Sequence, residues 1–228
     1  MQQKLPRLLD MGVSKLAQYD STKSKLPQRL EEEVTIDEQR HHFLESLRLQ
    51  RHDWLNHVQV IMGYLKLKRY DLCEEYMLKV TEMTNNESRI AALGHDGLEA
   101  FLLTYPALHK EMKLEFQVPE LINLTAFGHD EKQRFYFLVR GIIETYREFS
   151  QPNDGLPNSL VIELQALDHA LFLAVEYEGR LQEAACLEAL RELAGQMGNE
   201  EGFFVEGLHN DQESIMEFYF PVNQEVKE

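Results

Sequence analysis

The sequence predicts an α+β protein: an N-terminal helical hairpin that pairs into a dimeric four-helix bundle, then a domain with helices on one mostly antiparallel sheet. Three observations predict it. Apolar residues from Leu44 to Leu65 recur at helical spacing. A short polar break separates them from a second helical pattern. From residue 96 onward, alternating stretches typical of strands are interleaved with helices.

In the first element, Thr35 is a candidate N-cap, with Glu38 as its capping-box partner. No proline follows until Pro106. Leu44, Leu47, Arg51, Leu55, Val58, Met62 and Leu65 step by three or four and form a heptad-like seam. Lys68-Arg69-Tyr70-Asp71 is expected to be the turn. Leu72, Tyr76, Met77, Val80 and Met83 continue as a second amphipathic helix, with Glu74, Glu75 and Glu82 on its other side. A lone hairpin covers its apolar stripe poorly, so a second copy is expected to complete a four-helix bundle.

After a helix over Leu98–His109, Lys113–Val118 alternates like a strand and stops at Pro119. Asp130–Phe149 is helical, with Phe135, Leu138, Ile142 and Tyr146 on one face. Residues 151–155 form a turn cluster. Leu160–Leu167 and Leu171–Tyr177 are expected to pair about Asp168-His169. A helix over Leu181–Met197 and a last hairpin, Phe203–Leu208 with Ile215–Pro221, close the domain. The expected division is a basic leader at 1–35, the hairpin at 36–92 and the mixed domain at 93–228. Leu5, Leu8, Leu9, Val13 and Leu16 suit one side of a short leader helix.

The net charge of −16 argues against nucleic acid as a partner, because phosphate backbones demand Lys and Arg. Residues 1–30 run the other way, with a net of +4. Cys73 and Cys186 lie far apart in no metal-ligand spacing and are expected to be core thiols. No apolar run is long enough to span a bilayer, and no secretory h-region is apparent, so a cytoplasmic location is expected.

One histidine has a setting suited to chemistry. His52 lies about 100° around the helix from Arg51 and about 60° from Leu55, on the flank of the seam. Asn56, Gln59 and Gly63 share its face and form a polar track that narrows to a bare glycine, suited to docking of another protein. An exposed neutral imidazole is a nucleophile near pH 7 and a good phosphoryl carrier. Arg51 would neutralise phosphate oxygens, and Asp53 or Asn56 would hold one ring nitrogen. Spacing alone does not separate this from a solvated surface histidine, the reading given to His41, His42 and His57.

Arg51-His52-Asp53-Trp54-Leu55-Asn56, continued through Leu65, resembles the phosphoacceptor helix of the sporulation initiation phosphotransferase B family of endospore-forming bacteria. Lys68-Arg69-Tyr70-Asp71 resembles that family's hairpin turn. The resemblance implies a dimeric bundle followed by a histidine-kinase-ATPase-like domain. It implies a phosphotransferase of a sporulation phosphorelay, with His52 as phosphoacceptor. The donor would be the aspartyl phosphate of a single-domain response regulator, and the acceptor a DNA-binding regulator. It implies no cofactor on this chain, with Mg²⁺ on the regulator.

The competing possibilities are an ATP-dependent sensor histidine kinase and a dimeric scaffold that binds regulators without chemistry. Kinases resemble N-x-x-x-N-A-x-K-F on the long helix. Here Gly141-Ile142-Ile143-Glu144-Thr145-Tyr146-Arg147-Glu148-Phe149 lacks both asparagines. Kinases then carry D-x-G-x-G. Here Tyr177 stands at the Asp and Leu181 at the second Gly. These losses imply an ATPase-like shell without ATP.

Overall fold

The computed structural model describes residues 41, 44–153, 157–197 and 204–222. The chain divides into two compact units, 1–48 and 49–228. The expected leader helix and the Thr35 cap lie outside the described residues. Among the described residues the elements run in the expected α+β order, a helical hairpin first and then strands interleaved with helices.

Helix α1 covers residues 44–66 and α2 covers Tyr70–Ile90. The turn is shorter than Lys68–Asp71, because Tyr70 and Asp71 already belong to α2. Lys68 takes the left-handed conformation at φ 56°. Its N–H donates to the Leu65 carbonyl (3.0 Å), and the next N–H, of Arg69, donates to the Tyr64 carbonyl (2.9 Å). That is a Schellman stop, which needs few residues. Arg69 then grips Asp71 through two hydrogen bonds at 3.2 and 3.1 Å, across the start of α2.

The hairpin is joined by residues that the seam does not contain. His57 Nδ1 lies 2.8 Å from Tyr76 Oη, and the Tyr64 and Tyr76 rings meet edge-on at 6.1 Å. The seam residues Leu55, Val58, Met62 and Leu65 remain exposed, each near half. Helix α1 therefore has two faces to cover: one meets α2, and the heptad seam from Leu55 to Leu65 stays open among the described residues.

Helix α3 (Asp96–Leu108) leads to β1 (Met112–Gln117), and helix α4 (His129–Phe149) follows. Two short strands, β2 (Ser150–Gln151) and β5 (Arg180–Leu181), pair beside the main sheet. That sheet runs β1-β3-β4-β7-β6, with β3 at Asn158–Leu167, β4 at Ala170–Glu178, β6 at Phe204–His209 and β7 at Glu213–Pro221. Only β1 and β3 are parallel. Helix α5 starts at Glu183, not Leu181, because Leu181 is taken into β5.

Strand residues alternate between buried and exposed, so one sheet face is apolar. Leu160, Ile162, Leu173, Val175 and Phe218 on that face join Leu138, Ile142 and Tyr146 of α4 and Leu190 of α5 in one core. Both cysteines are buried, and burial pushes the Cys186 thiol up to about 12, which makes it unreactive. Among the described residues, no helix is long and apolar enough to cross a membrane.

Candidate functional site

Helix α1 places His52 five residues before the His57–Tyr76 contact, on its solvent flank. Its side chain is 68% exposed. The reason is angular. Residues 57, 60, 61 and 64 face α2, and residues 55, 58, 62 and 65 form the open seam. The surface of 52, 56, 59 and 63 belongs to neither.

Among the described residues the ring has two hydrogen-bonding neighbours, both on the same nitrogen. Asn56 Nδ2 lies 3.2 Å from His52 Nδ1, and Asp53 Oδ1 lies 3.4 Å from it. The Asn56 contact is the i to i+4 neighbour relation of a helix surface. Among the described residues, Nε2 has no hydrogen-bond partner. The two orientations of the Asn56 amide give opposite tautomers, so the proton's place follows from chemistry and not from atom positions.

Arg51 is exposed and makes no ion pair among the described residues. Gln59 is also exposed. At Gly63 an added Cβ would meet nothing within 4 Å, so the track is open at that end. The structure thus brings Asp53 and Asn56 to His52 and leaves Arg51 beside it. It gives Gln59 and Gly63 the same face without contact to the ring.

Of the other histidines, His57 is engaged in the hairpin contact and also meets Trp54 edge-on at 6.0 Å. His95 is buried, and its Nδ1 accepts the Leu98 N–H at 3.0 Å as the cap of α3. Neither is free for chemistry. Among the described residues, no group of three or more His, Cys, Asp or Glu is placed to hold a metal ion.

Two positions compared above with the kinase motifs, Gly141 and Tyr177, are packed against side chains of this chain. A Cβ at Gly141 would stand 2.7 Å from Leu193 Cδ1, so α5 lies against α4 where a kinase carries its first asparagine. Tyr177 is buried and stacks on Tyr146 with ring centres 5.2 Å apart. Its hydroxyl donates to the Arg180 carbonyl at 3.0 Å and lies 2.8 Å from Ser150 Oγ. Burial raises both tyrosine hydroxyls above their ordinary pKa. Gly179 persists for a local reason: at φ 149° it lets Asn158 approach and accept the Arg180 N–H at 3.1 Å. Around Gly141 and Tyr177 the neighbouring side chains are thus apolar and aromatic.

Comparison with known proteins bears on the same helices. Residues 31–93 match the family described as the SpoOB-type sensor kinase, alpha-helical domain. The chain is 25% identical over 165 residues to Sporulation initiation phosphotransferase B of Bacillus subtilis (strain 168), covering 71% of this chain and 83% of that protein. Among solved structures, the Acinetobacter baumannii histidine kinase AdeS is similar at 9% identity and TM-score 0.36, over 76% of this chain and 98% of that one. A bacterial phosphotransferase is similar at 13% identity and TM-score 0.33, over 73% and 89%. Both structural likenesses are loose.

Proposed function

We propose, for a chain whose residues 31–93 match the SpoOB-type sensor kinase, alpha-helical domain and whose sequence fits the sporulation initiation phosphotransferase B family, that it is a histidine phosphotransferase of a phosphorelay. His52 takes the phosphoryl group from the aspartate of one response regulator and passes it to a second, DNA-binding regulator that initiates sporulation. The observation that carries this is the state of the His52 ring: exposed, held at Nδ1 and open at Nε2.

The chemistry follows from that asymmetry. With its proton on Nδ1, the ring donates to Asp53 Oδ1 or to the Asn56 carbonyl oxygen. The Nε2 lone pair then points to solvent and attacks phosphorus in line. The P–O bond to the donor carboxylate breaks as the P–N bond forms. The second transfer reverses these bonds on another carboxylate. Arg51, one residue away, neutralises phosphate oxygens during both transfers. The Gln59–Gly63 track receives the regulator, and that partner brings the Mg²⁺ held in its own acidic site.

A second copy covers the seam. Leu55, Val58, Met62 and Leu65 form an apolar strip of a kind that a soluble monomer rarely exposes, and two hairpins bury it as a four-helix bundle. The working division is the hairpin at 36–92 and the mixed domain at 93–228, and the working location is the cytoplasm.

An ATP-dependent kinase is the competing reading. It needs an adenine slot and a metal site, whereas Leu193 packs against Gly141 and Tyr177 stacks on Tyr146. Those contacts support a carrier that draws nothing from ATP. The deciding experiment incubates the protein with a phosphorylated response regulator. Acid-labile, base-stable label on His52, lost in His52→Gln while regulator binding persists, supports the relay. Label from ATP alone supports the kinase, and binding without any label supports a scaffold.

A further inference from the structure

The phosphotransferase reading leaves the sheet domain without a task, and the junction between hairpin and domain suggests one. Side chains of α2 are fastened to the exit of β1, an edge strand. Asn86 Nδ2 donates to the Phe116 carbonyl at 2.7 Å, and Asn86 Oδ1 accepts the Val118 N–H at 2.8 Å. The amide occupies both backbone groups as a neighbouring strand would. Arg89 Nε donates to the Val118 carbonyl, and its guanidinium also binds Glu82 at 3.0 Å. Val118 is wholly buried beneath these contacts.

The covalent connection is equally fixed. Leu93 is wholly buried, and its carbonyl accepts the Leu124 N–H at 2.7 Å. His95 stacks on Tyr136 at 5.3 Å and lies 3.2 Å from Gln133 across the interface with α4. A linker that lets a domain swing is exposed, polar and sparsely bonded. Here Ala91 and Ala92 are exposed, but Leu93 and His95 are buried and bonded to the domain.

The position of the clamp along the hairpin matters. Tyr76 touches both His57 and Tyr64 on α1. Asn86 lies ten residues further along the antiparallel α2. Its level on α1 therefore falls about midway between residues 47 and 54, beside His52. Past the clamp, Pro119, Glu120 and Leu121 are exposed, with Leu121 59% open, before Ile122 returns to the core. The loop is thus anchored at both ends and presented at the height of the phosphoacceptor.

We propose that Asn86 is a positioning residue, holding the Pro119–Leu121 loop as a second contact for the response regulator that docks on His52. This rests on the phosphotransferase reading. The test compares the full-length protein with Asn86→Ala, Asn86→Asp and Leu121→Ser. Phosphoramidate labelling of His52 needs no protein docking, and it is expected to stay within about twofold in all variants. Transfer from a single-domain response regulator, phosphorylated with acetyl phosphate, is expected to show KM raised about tenfold with kcat nearly unchanged. Asn86→Asp, which keeps the acceptor for Val118, is expected to fall between wild type and Asn86→Ala.

An unaltered KM in Asn86→Ala, with hydrogen exchange at the Val118 amide accelerated, overturns the positioning role alone. Failure of the unmodified protein to label on His52 from either donor overturns the phosphotransferase reading and this proposal with it. If Asn86→Ala does not fold, Leu121→Ser decides, since Leu121 supports no core: an unchanged KM there overturns the proposal.

Discussion

His57 Nδ1 and Tyr76 Oη lie 2.8 Å apart, and this contact joins the two helices of the hairpin. His52, five residues earlier, has no comparable anchor on α2. Two histidines on one helix thus have opposite duties. Tyr76→Phe removes one half-buried hydrogen bond and is expected to cost about 1 kcal/mol. Thermal unfolding should shift down by a few degrees, with labelling of His52 intact.

The ring partners of His52 yield a graded series. His52→Gln is expected to abolish phosphoryl transfer. Asn56→Ala or Asp53→Asn removes one of the two groups that hold Nδ1 and is expected to slow transfer about 10- to 100-fold. Rates of label transfer between regulator and protein measure this. Equal loss in the single and double variants would show that the two groups act as a unit.

The seam predicts assembly. Val58→Glu puts a charge in the middle of the apolar strip and is expected to convert a dimer to a monomer at micromolar concentration, read by sedimentation. Each leucine-sized side chain that loses its partner forfeits about 1.5–3 kcal/mol, enough for two or three seam residues to decide the equilibrium.

The close packing at Gly141 predicts a penalty for an asparagine there. Gly141→Asn drives a side chain into Leu193, which stands 2.7 Å from the would-be Cβ. The expected cost is about 1–3 kcal/mol of stability, without gain of ATP binding, by denaturation and calorimetry.

Glu87 predicts a pH effect. Burial in α2 raises its carboxyl above the ordinary value, with the nearby His57 acting in the opposite sense. A raised acid binds its proton more tightly in the folded chain, so its ionised form costs stability. That cost is absent below the ordinary value of 4.5 and complete above the raised one. Glu87→Gln is therefore expected to be more stable than wild type at pH 7 and equal to it in acid.

Much of this architecture was legible from spacing. The hairpin, the long helix α4 and the strand pairs show periods that survive folding. The turn was read too long, because Lys, Arg, Tyr and Asp do not reveal that a left-handed Lys68 ends α1 in one step. Leu181 was assigned to α5, because its pairing with Ser150 depends on a contact 31 residues away. The face of α1 that meets α2 was not legible either: His57 and Tyr76 read as a surface histidine and one apolar step among several. Asn86 gave no signal at all, since a polar residue in a helix looks solvated until its distant backbone partner is known. His52 was placed on its flank by periodicity, and the chemistry expected of it came from family resemblance.

An open imidazole also governs the direction of flow. Among the described residues no side chain covers His52, which would leave arrival and departure of a phosphoryl group equally open. A phosphoramidate formed there would stand in equilibrium with the aspartyl phosphates of every regulator able to dock. Net flux would then be set by the supply of charged donor and the abundance of empty acceptor. The chain would act as a reversible conductor, and any decision to commit would belong to the proteins on either side of it.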